Sequence, residues 1–271
     1  MKPLLSICCT SYNHENYIKE TLDGFLMQKT NFPIEILIHD DASTDRSAEI
    51  IKEYAQKDGR IITILQTENQ YSKKIKPWPN FLFPMAKGKY LALCEGDDYW
   101  IDPLKLQKQV DFLETHSDFN ICFNASKIYI QDTNTFKEDP FRGKFPEILT
   151  IKDLARKNYI RTNTVVMRNN FTLPEWFNQL PFGDWPMYLI MIKDNKVKYI
   201  DDVMGVYRIH SEGVWSGKDK AKMIEMTLIG LDMLIKSNIL PAHINKILLK
   251  RYRKYAFKAQ KEKFRGYLKN R

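Results

Sequence analysis

The 271-residue sequence predicts an α/β protein with a mostly parallel central sheet flanked by helices. Three observations support this class. Short apolar runs of strand type alternate with segments of helical periodicity in the first part of the chain. Acidic residues directly follow two of those runs, where the carboxyl ends of parallel strands would share one edge of a sheet. The composition, 44% hydrophobic and 28% charged, is that of a globular protein with a substantial core.

The first hundred residues alternate strands and helices. Apolar runs predict four strands, at residues 4–10, 34–38, 61–65 and 90–94. Apolar residues at helical spacing predict one helix from about Glu15 to Gln28 and a second that ends at Lys57-Asp58-Gly59. This rhythm is typical of parallel βαβ units, whose ligands bind at the carboxyl ends of the strands.

The later part of the chain has a mixed pattern. Asp102-Pro103 predicts a helix start, Thr150 caps a short helix, and Gly183-Asp184-Trp185-Pro186 opens another. Further strands are predicted at residues 120–125, 127–130, 164–167, 197–200 and 203–207. The polar segment that runs from residue 131 through Phe145 has no clear periodicity, and two helices broken at Pro241 follow from about residue 218.

An irregular basic segment, Glu68–Phe83, precedes the fourth strand. It contains Lys73, Lys74 and Lys76 together with Pro77 and Pro79. The sequence supports two interpretations, a mobile flap over a phosphate and a solvated basic loop.

The net charge of +9 is concentrated in one segment. Residues 242–271 contain eleven Lys or Arg and the single acid Glu262, so they carry +10 and the rest of the chain is close to neutral. Apolar residues such as Ile244 and Leu248 are interleaved with these cations, which predicts a basic amphipathic helix. Such a helix could lie on an anionic membrane surface or pack on the rest of the protein.

No segment predicts export or a membrane span. The apolar stretch before Thr10 is too short for a signal peptide, and no run approaches transmembrane length. Cys8, Cys9, Cys94 and Cys122 lie in strand-like runs without CxxC spacing, which predicts buried free thiols. Together these features predict a cytoplasmic protein.

A cluster of acids follows the fourth strand. Glu95, Asp97 and Asp98 are crowded at its carboxyl end, where like charges repel unless a cation lies between them. Oxygen ligands suit a hard ion such as Mn²⁺ or Mg²⁺, and such ions commonly bind a substrate's phosphates. The alternative is a polar turn that also caps the next helix.

Five segments complete a longer pattern. They are Ser6-Ile-Cys-Cys-Thr-Ser-Tyr-Asn13, Glu35-Ile-Leu-Ile-His-Asp-Asp-Ala-Ser-Thr-Asp45, Gly88-Lys-Tyr-Leu-Ala-Leu-Cys-Glu-Gly-Asp-Asp98, Gly183-Asp-Trp185 and Tyr207-Arg-Ile-His210. In this order they resemble the family 2 glycosyltransferases of the GT-A fold, over about residues 3–215. The resemblance implies a Rossmann-like glycosyltransferase domain at 1–215, divided near residue 100 into a nucleotide-sugar-binding and an acceptor-binding half, with a helical extension at 216–271.

The resemblance also implies the reaction. A sugar would pass, with inversion, from a nucleotide-sugar donor to a hydroxyl of a glycan or lipid-linked glycan, and a divalent metal would stabilise the leaving diphosphate. The Gln-x-x-Arg-Trp motif of the processive synthases is absent, which favours a single transfer. A lipid-linked acceptor would fit a peripheral position at the inner face of the membrane, through residues 242–271.

Three residues match the family's nucleotide site. Thr10 and Tyr12 would frame the nucleobase, Tyr12 by stacking on it. Asp40 would accept a hydrogen bond from an N–H of the base, which favours uracil or thymine and therefore a UDP-sugar.

Four residues match the family's metal site. Glu95-Gly96-Asp97 occupies the DXD position, with Glu in place of the first Asp. Asp97 and Asp98 are both candidates for ribose and metal contact. His210 matches a late metal ligand, and its alternative role is that of a hydrogen-bonded histidine in a turn.

Asp184 matches the catalytic base. The family more often has Glu-Asp here, whereas this chain has Gly183. Asp184 could also cap the helix that begins beside it, and the two roles are compatible. Trp185 and Trp215 could form a sugar platform or belong to the core.

Two other functions compete with glycosyl transfer. A sugar-phosphate nucleotidyltransferase would also hold Mg²⁺ with carboxylates, but it would be expected to carry a glycine-rich loop after its first strand, where Ser11-Tyr12-Asn13-His14 has no glycine. A nucleic-acid-binding protein could use the basic segment, but no nucleic-acid-binding motif is present and no nucleic-acid partner is expected.

Overall fold

The computed structural model describes residues 2–144, 146–192, 195–211, 213 and 219–269. In this part of the chain the strands are β1 Leu5–Ser11, β2 Ile34–Asp40, β3 Ile61–Leu65, β4 Tyr90–Glu95, β5 Tyr99–Trp100, β6 Phe119–Ile130, β7 Thr135–Glu138, β8 Ile148–Leu149, β9 Val165–Arg168 and β10 Lys196–Ile209. The helices are α1 Ile18–Leu26, α2 Ser47–Lys57, α3 Phe83–Met85, α4 Lys105–Thr115, α5 Ile151–Arg156, α6 Asp184–Ile192, α7 Lys220–Ser237 and α8 Ala242–Lys269.

A single sheet confirms the predicted α/β class. Its order is β3-β2-β1-β4-β9-β6-β10-β5, with β7 beside β6 and β8 beside β10. The first four strands in this order are parallel, and antiparallel β9 joins them to the later strands. Thr10 is in register with both His39 and Glu95, so the carboxyl ends of β1, β2 and β4 share one edge, as predicted.

Two long strands replace four predicted short ones. β6 continues through Ser126, and β10 continues through Asp201-Asp202 by register shifts against β6. Polar residues interrupt the apolar pattern at these points without interrupting the strand, because the neighbouring strand supplies the hydrogen bonds. β7 lies in the segment without periodicity, and its four residues are all exposed, so no apolar alternation marked it.

The helix boundaries follow local hydrogen bonds. α1 starts at Ile18 rather than near Glu15 because the amides of His14 and Glu15 donate to Ser47 and Asp45, which holds that stretch as a loop. Thr150 caps α5 as predicted, with a reciprocal capping box to Asp153.

Side chains from alternate strand positions form a core on each face of the sheet. In β1, Cys8 packs into one cluster with Leu37 and Leu93, and Ile7 and Cys9 pack into the other. All four cysteines are buried free thiols, as predicted.

The C-terminal helices pack on the first of these clusters. In α8, Ile244 and Leu248 are fully buried, and the Arg251 guanidinium lies 4.4 Å from the Trp185 ring centre and donates to the Ala155 carbonyl. The division at residue 215 remains a prediction. No helix in the described ranges is long and apolar enough to cross a membrane.

Gly24 lets α1 approach β5. A Cβ at this position would lie 2.9 Å from the backbone nitrogen of Trp100 and 3.0 Å from its oxygen. Gly24→Ala should therefore cost about 1–3 kcal/mol in overpacking, which exceeds the gain of up to about 1 kcal/mol in helix propensity. Urea unfolding measures the difference. Gly59→Ala is the matched control, since nothing lies within 4 Å of its Cβ; equal stability of the two variants would contradict the close packing.

Candidate active site

The loops after β1 and β2 are tied together at the shared edge of the sheet. Asn13 has a left-handed backbone with φ of 55°, its amide donates to Ser43 Oγ, and its side-chain oxygen accepts from the Thr44 amide. Tyr12, immediately before it, is 44% exposed. The ring predicted to stack on a nucleobase is thus accessible on a fixed loop.

Asp40 lies at the carboxyl end of β2 and is buried. Its carboxylate accepts from the amide of Ser43 at 2.9 Å and from its hydroxyl at 2.5 Å. Burial raises the pKa of Asp40 despite these bonds. A nucleobase would have to share this carboxylate with Ser43, so the donor-binding role of Asp40 stays a prediction.

Asp97 and His210 form a pair that joins the two halves of the sheet. His210 Nε2 lies 2.9 Å from Asp97 Oδ2, and His14 Nε2 lies 3.9 Å from the same oxygen. Burial opposes ionisation of Asp97, but the hydrogen bond with His210 and the two nearby histidines outweigh it, so the pKa of Asp97 is lowered. The structure therefore brings together two of the predicted metal ligands and adds His14, which the sequence analysis did not select.

The Asp97–His210 pair fits a divalent ion. A carboxylate oxygen and a neutral imidazole nitrogen can both bind a divalent cation, and here the two atoms lie 2.9 Å apart in a hydrogen bond. Among residues with a described position, no group of three His, Cys, Asp or Glu side chains is placed to hold a metal. Within the described residues, an ion at this pair would therefore have no third ligand of these four types.

Asp98 is buried and bonds to the backbone of β10. Its Oδ1 accepts from the Arg208 amide at 2.7 Å. Burial, followed by the charges of Asp97 and Glu95, raises the pKa of Asp98 well above its usual value. This carboxyl group joins the acid cluster to β10, and its predicted metal role is not tested by this arrangement.

Arg208 connects the two halves at several points. Its Nε donates to the Asp97 carbonyl at 2.8 Å, and its guanidinium also bonds to Gln131 Oε1 and to Glu20. These bonds fix the end of β10 and hence the position of His210. Arg208 stands within the Tyr207-Arg-Ile-His210 motif, but no local pattern in the sequence predicts these contacts.

Asp184 and Glu95 form a second acidic pair. Asp184 begins α6 and accepts a 2.9 Å hydrogen bond from Asn158 Nδ2. Burial raises the pKa of Asp184 even though this bond and the Trp185 amide favour its ionised form. Burial, then the charges of Asp97 and Asp184, raises the pKa of Glu95 to about 8. Glu95 is thus electrostatically coupled to the predicted base as well as to Asp97.

Lys76 from the Glu68–Phe83 segment lies beside this pair. Its amide and carbonyl are held by Asn178 and Asn80, which also hydrogen-bond to each other. Burial lowers the pKa of Lys76 to about 8, and Asp184 opposes that change. Lys73 and Lys74 are exposed, so the segment combines a solvated surface with one partly buried lysine whose charge acts on Asp184.

Packing does not require glycine at position 183. A Cβ there would lie 3.6 Å from Lys76 Cδ and from the Phe177 ring, which are ordinary van der Waals distances. Trp185 is buried, and its Nε1 donates to the Leu154 carbonyl, so it belongs to the core; Trp215 lies outside the described residues.

Comparisons with known proteins identify the family of this chain. Residues 6–173 match the model of the family described as glycosyl transferase family 2. The chain is 32% identical over 243 residues to the Escherichia coli UDP-Glc:alpha-D-GlcNAc-diphosphoundecaprenol beta-1,3-glucosyltransferase WfaP, covering 89% of this chain and 88% of that protein. S. aureus TarS 1–349 in complex with UDP-GlcNAc matches with a TM-score of 0.69 and 18% identity, over 95% of this chain and 73% of that one.

A second solved structure shows the same fold with another donor. The mannosyltransferase PcManGT of Pyrobaculum calidifontis, in complex with GDP-Man and Mn²⁺, matches with a TM-score of 0.63 and 15% identity, over 93% of this chain and 70% of that one. Uncharacterised mycobacterial proteins are 39% identical over 215 residues, 78% of this chain, and the match spans 60% of their length.

Proposed function

Because this chain belongs to glycosyl transferase family 2, we propose that it transfers a sugar from a nucleotide-sugar donor to a hydroxyl of a glycan or lipid-linked glycan, with inversion. The observation that carries this proposal is the pairing of Asp97 with His210, beside Glu95 and Asp184, at the edge where β1, β2 and β4 end. A donor diphosphate at Asp97 would lie close to a base at Asp184.

A UDP-sugar is the proposed donor. The E. coli relative is named for UDP-Glc and a diphosphoundecaprenol acceptor, and TarS is described with UDP-GlcNAc. The archaeal neighbour is described with GDP-Man, so the fold alone does not select the base. In this chain Asp40, with Thr10 near the end of β1 and Tyr12 on the loop after it, is proposed to make that selection.

Asp97 and His210 are proposed to hold Mn²⁺ or Mg²⁺ together with the donor diphosphate. A divalent ion supplies charge stabilisation to the leaving diphosphate without a proton transfer. Asp97 provides the anionic ligand, and the Arg208 contacts keep His210 next to it. Glu95 remains a predicted contributor to this site, and Asp98 is the alternative to Asp97 as the anionic ligand.

Asp184 is proposed to take the proton from the acceptor hydroxyl. Its carboxylate is buried near Glu95, and a raised pKa makes an ionised carboxylate a stronger base. Lys76 and the Trp185 amide provide the positive charge and hydrogen bond that favour the ionised form.

A panel of nucleotide sugars incubated with the full chain and Mn²⁺ tests this function. We expect release of UDP from UDP-sugars and loss of that release in EDTA. Release of pyrophosphate from a nucleoside triphosphate and a sugar phosphate would instead show a nucleotidyltransferase. Salt-sensitive oligonucleotide binding without UDP release would favour nucleic-acid binding.

We also propose a cytoplasmic protein whose α8 is attracted to anionic membrane surfaces. Ile244 and Leu248 are buried against the protein, so they are not available to a bilayer. The outward side carries exposed cations, among them Lys250, Arg253 and Lys254. Attachment would therefore be mainly electrostatic, at about 1 kcal/mol for each nearby cation.

Vesicle flotation measures this attachment. Arg253→Glu/Lys254→Glu should reduce binding to anionic vesicles about tenfold or more, because it reverses two surface charges. Lys52→Glu/Lys57→Glu on α2 is the control with the same change in net charge, and it should bind like the wild type. Equal loss in both variants, or equal binding to neutral vesicles, would contradict a specific role of α8.

A further inference from the structure

Asn158 lies in the segment between α5 and the 3₁₀ turn at Thr162–Thr164. Its Oδ1 accepts from the Ile160 amide at 3.1 Å, and its Nδ2 donates to Asp184 Oδ2 at 2.9 Å. A backbone N–H can only donate, so Oδ1 must face Ile160 and the NH₂ group must face Asp184. The orientation of the side-chain amide is therefore set by the chain itself.

Charged and titratable groups from several described elements surround Asp184. Lys76 approaches from the Glu68–Phe83 segment, Glu95 from β4 and Tyr188 from the next turn of α6, and the Trp185 amide donates from the start of that helix. The hydrogen bond from Asn158 Nδ2 is made by a side chain, and it is directed at one carboxylate oxygen of Asp184, Oδ2. It fixes the rotation of the carboxylate about its own axis.

We propose that Asn158 is a positioning residue for the base, holding Oδ2 of Asp184 so that the carboxylate is oriented to accept the proton of the acceptor hydroxyl. This inference rests on the proposed glycosyl transfer. It follows the general arrangement in which a nucleophile's base is itself oriented by a third group. The proton moves from the acceptor oxygen to Asp184 as that oxygen bonds to the sugar carbon and the nucleoside diphosphate leaves, and Asn158 exchanges no proton.

Asn158→Asp separates this role from a purely structural one. The new side chain keeps an oxygen for the Ile160 amide but places a second oxygen, in place of the NH₂ group, against Asp184. We expect kcat to fall about 10- to 100-fold at neutral pH, less than for loss of the base itself. The loss should shrink as pH rises, because the added charge raises the pKa of Asp184, while the donor Kd stays unchanged.

The matched control is Asn134→Asp, which adds the same charge on the exposed β6–β7 hairpin. It should leave the pH profile of kcat unchanged. Asn158→Ala removes both hydrogen bonds of this side chain. The thermal stability of that variant measures how much the two bonds contribute to the fold. A pH profile of Asn158→Asp that coincides with the wild-type profile would overturn the proposal.

A measurement without substrate separates the test of Asn158 from the test of glycosyl transfer. The ¹³C resonance of the Asp184 carboxyl, assigned by its absence in Asp184→Asn, reports that carboxyl's pKa in the free protein. Asn158→Asp should raise it, and Asn134→Asp should not. If the wild type transfers no sugar, the proposed function fails, but this titration still decides whether Asn158 controls Asp184. An unchanged titration would overturn the inference even in an active enzyme.

Discussion

Asparagine in place of Asp184 is expected to reduce kcat by about 10²- to 10⁴-fold and to leave the Kd of the nucleotide-sugar donor unchanged. Asparagine keeps the size of the side chain and can still accept a hydrogen bond at the start of α6, but it cannot take a proton. The same substitution therefore distinguishes the base from a helix cap, because asparagine caps helices as well as aspartate does. Single-turnover transfer and calorimetric donor binding measure the two effects.

The pH dependence of the wild type provides a second test of the same residue. Burial raises the pKa of Asp184, and only the ionised carboxylate can act as a base. Turnover should therefore fall as pH drops through that raised pKa, and the residual activity of Asp184→Asn should not show this fall. Normal turnover in Asp184→Asn would exclude the base assignment.

Asp97→Asn is expected to weaken Mn²⁺-dependent donor binding by on the order of 100-fold, since even residues that only orient metal ligands cost 10- to 100-fold in affinity. The variant removes the anionic partner of His210 but changes little in shape. Calorimetry with UDP, in the presence and absence of Mn²⁺, measures the loss. Turnover should fall with it, in contrast to Asp184→Asn, which retains donor binding.

Asp98→Asn is the matched control for Asp97→Asn. Its carboxyl group is buried, its pKa is raised, and its Oδ1 serves the Arg208 amide, a bond that an asparagine oxygen also accepts. Donor binding should stay within a few-fold of the wild-type value. Loss of Mn²⁺-dependent binding in Asp98→Asn but not in Asp97→Asn would assign the ion to the other carboxylate.

The edge of the sheet was predictable because its strands are simple. β1 to β4 are apolar runs, and a polar residue ends or follows each of them. Their observed bounds therefore differ from the predicted bounds by at most two residues. β6 and β10 were predicted as broken because Ser126 and Asp201 interrupt the apolar pattern. Only pairing between strands far apart in sequence explains why these strands continue.

The site was predictable where residues follow strands and unpredictable where they come from irregular segments. Asp97 and Asp184 were both selected, but no local pattern shows that Asp184 lies near Glu95. Asn158 and Lys76 lie in segments without periodicity, and their importance follows only from the hydrogen bonds and charges around Asp184.

The sequence of the basic segment, residues 242–271, predicted its helix but not what covers the apolar side of that helix. Its composition predicted an amphipathic helix, and α8 is one, with Ile244 and Leu248 on its apolar side. The pattern could not decide whether a bilayer or the protein covers that side. The structure shows that the protein covers it, because α5, α6 and α7 provide a surface for it.

We propose that Asp97 from one half of the sheet and His210 from the other hold a metal together with the donor diphosphate. A crystal structure of the full chain with UDP and Mn²⁺, with data collected at the manganese absorption edge, tests it most directly. We predict an anomalous peak between the Asp97 carboxylate and His210 Nε2, with the diphosphate bound to the same ion. Bound UDP with the manganese peak elsewhere, or with none, would contradict the claim.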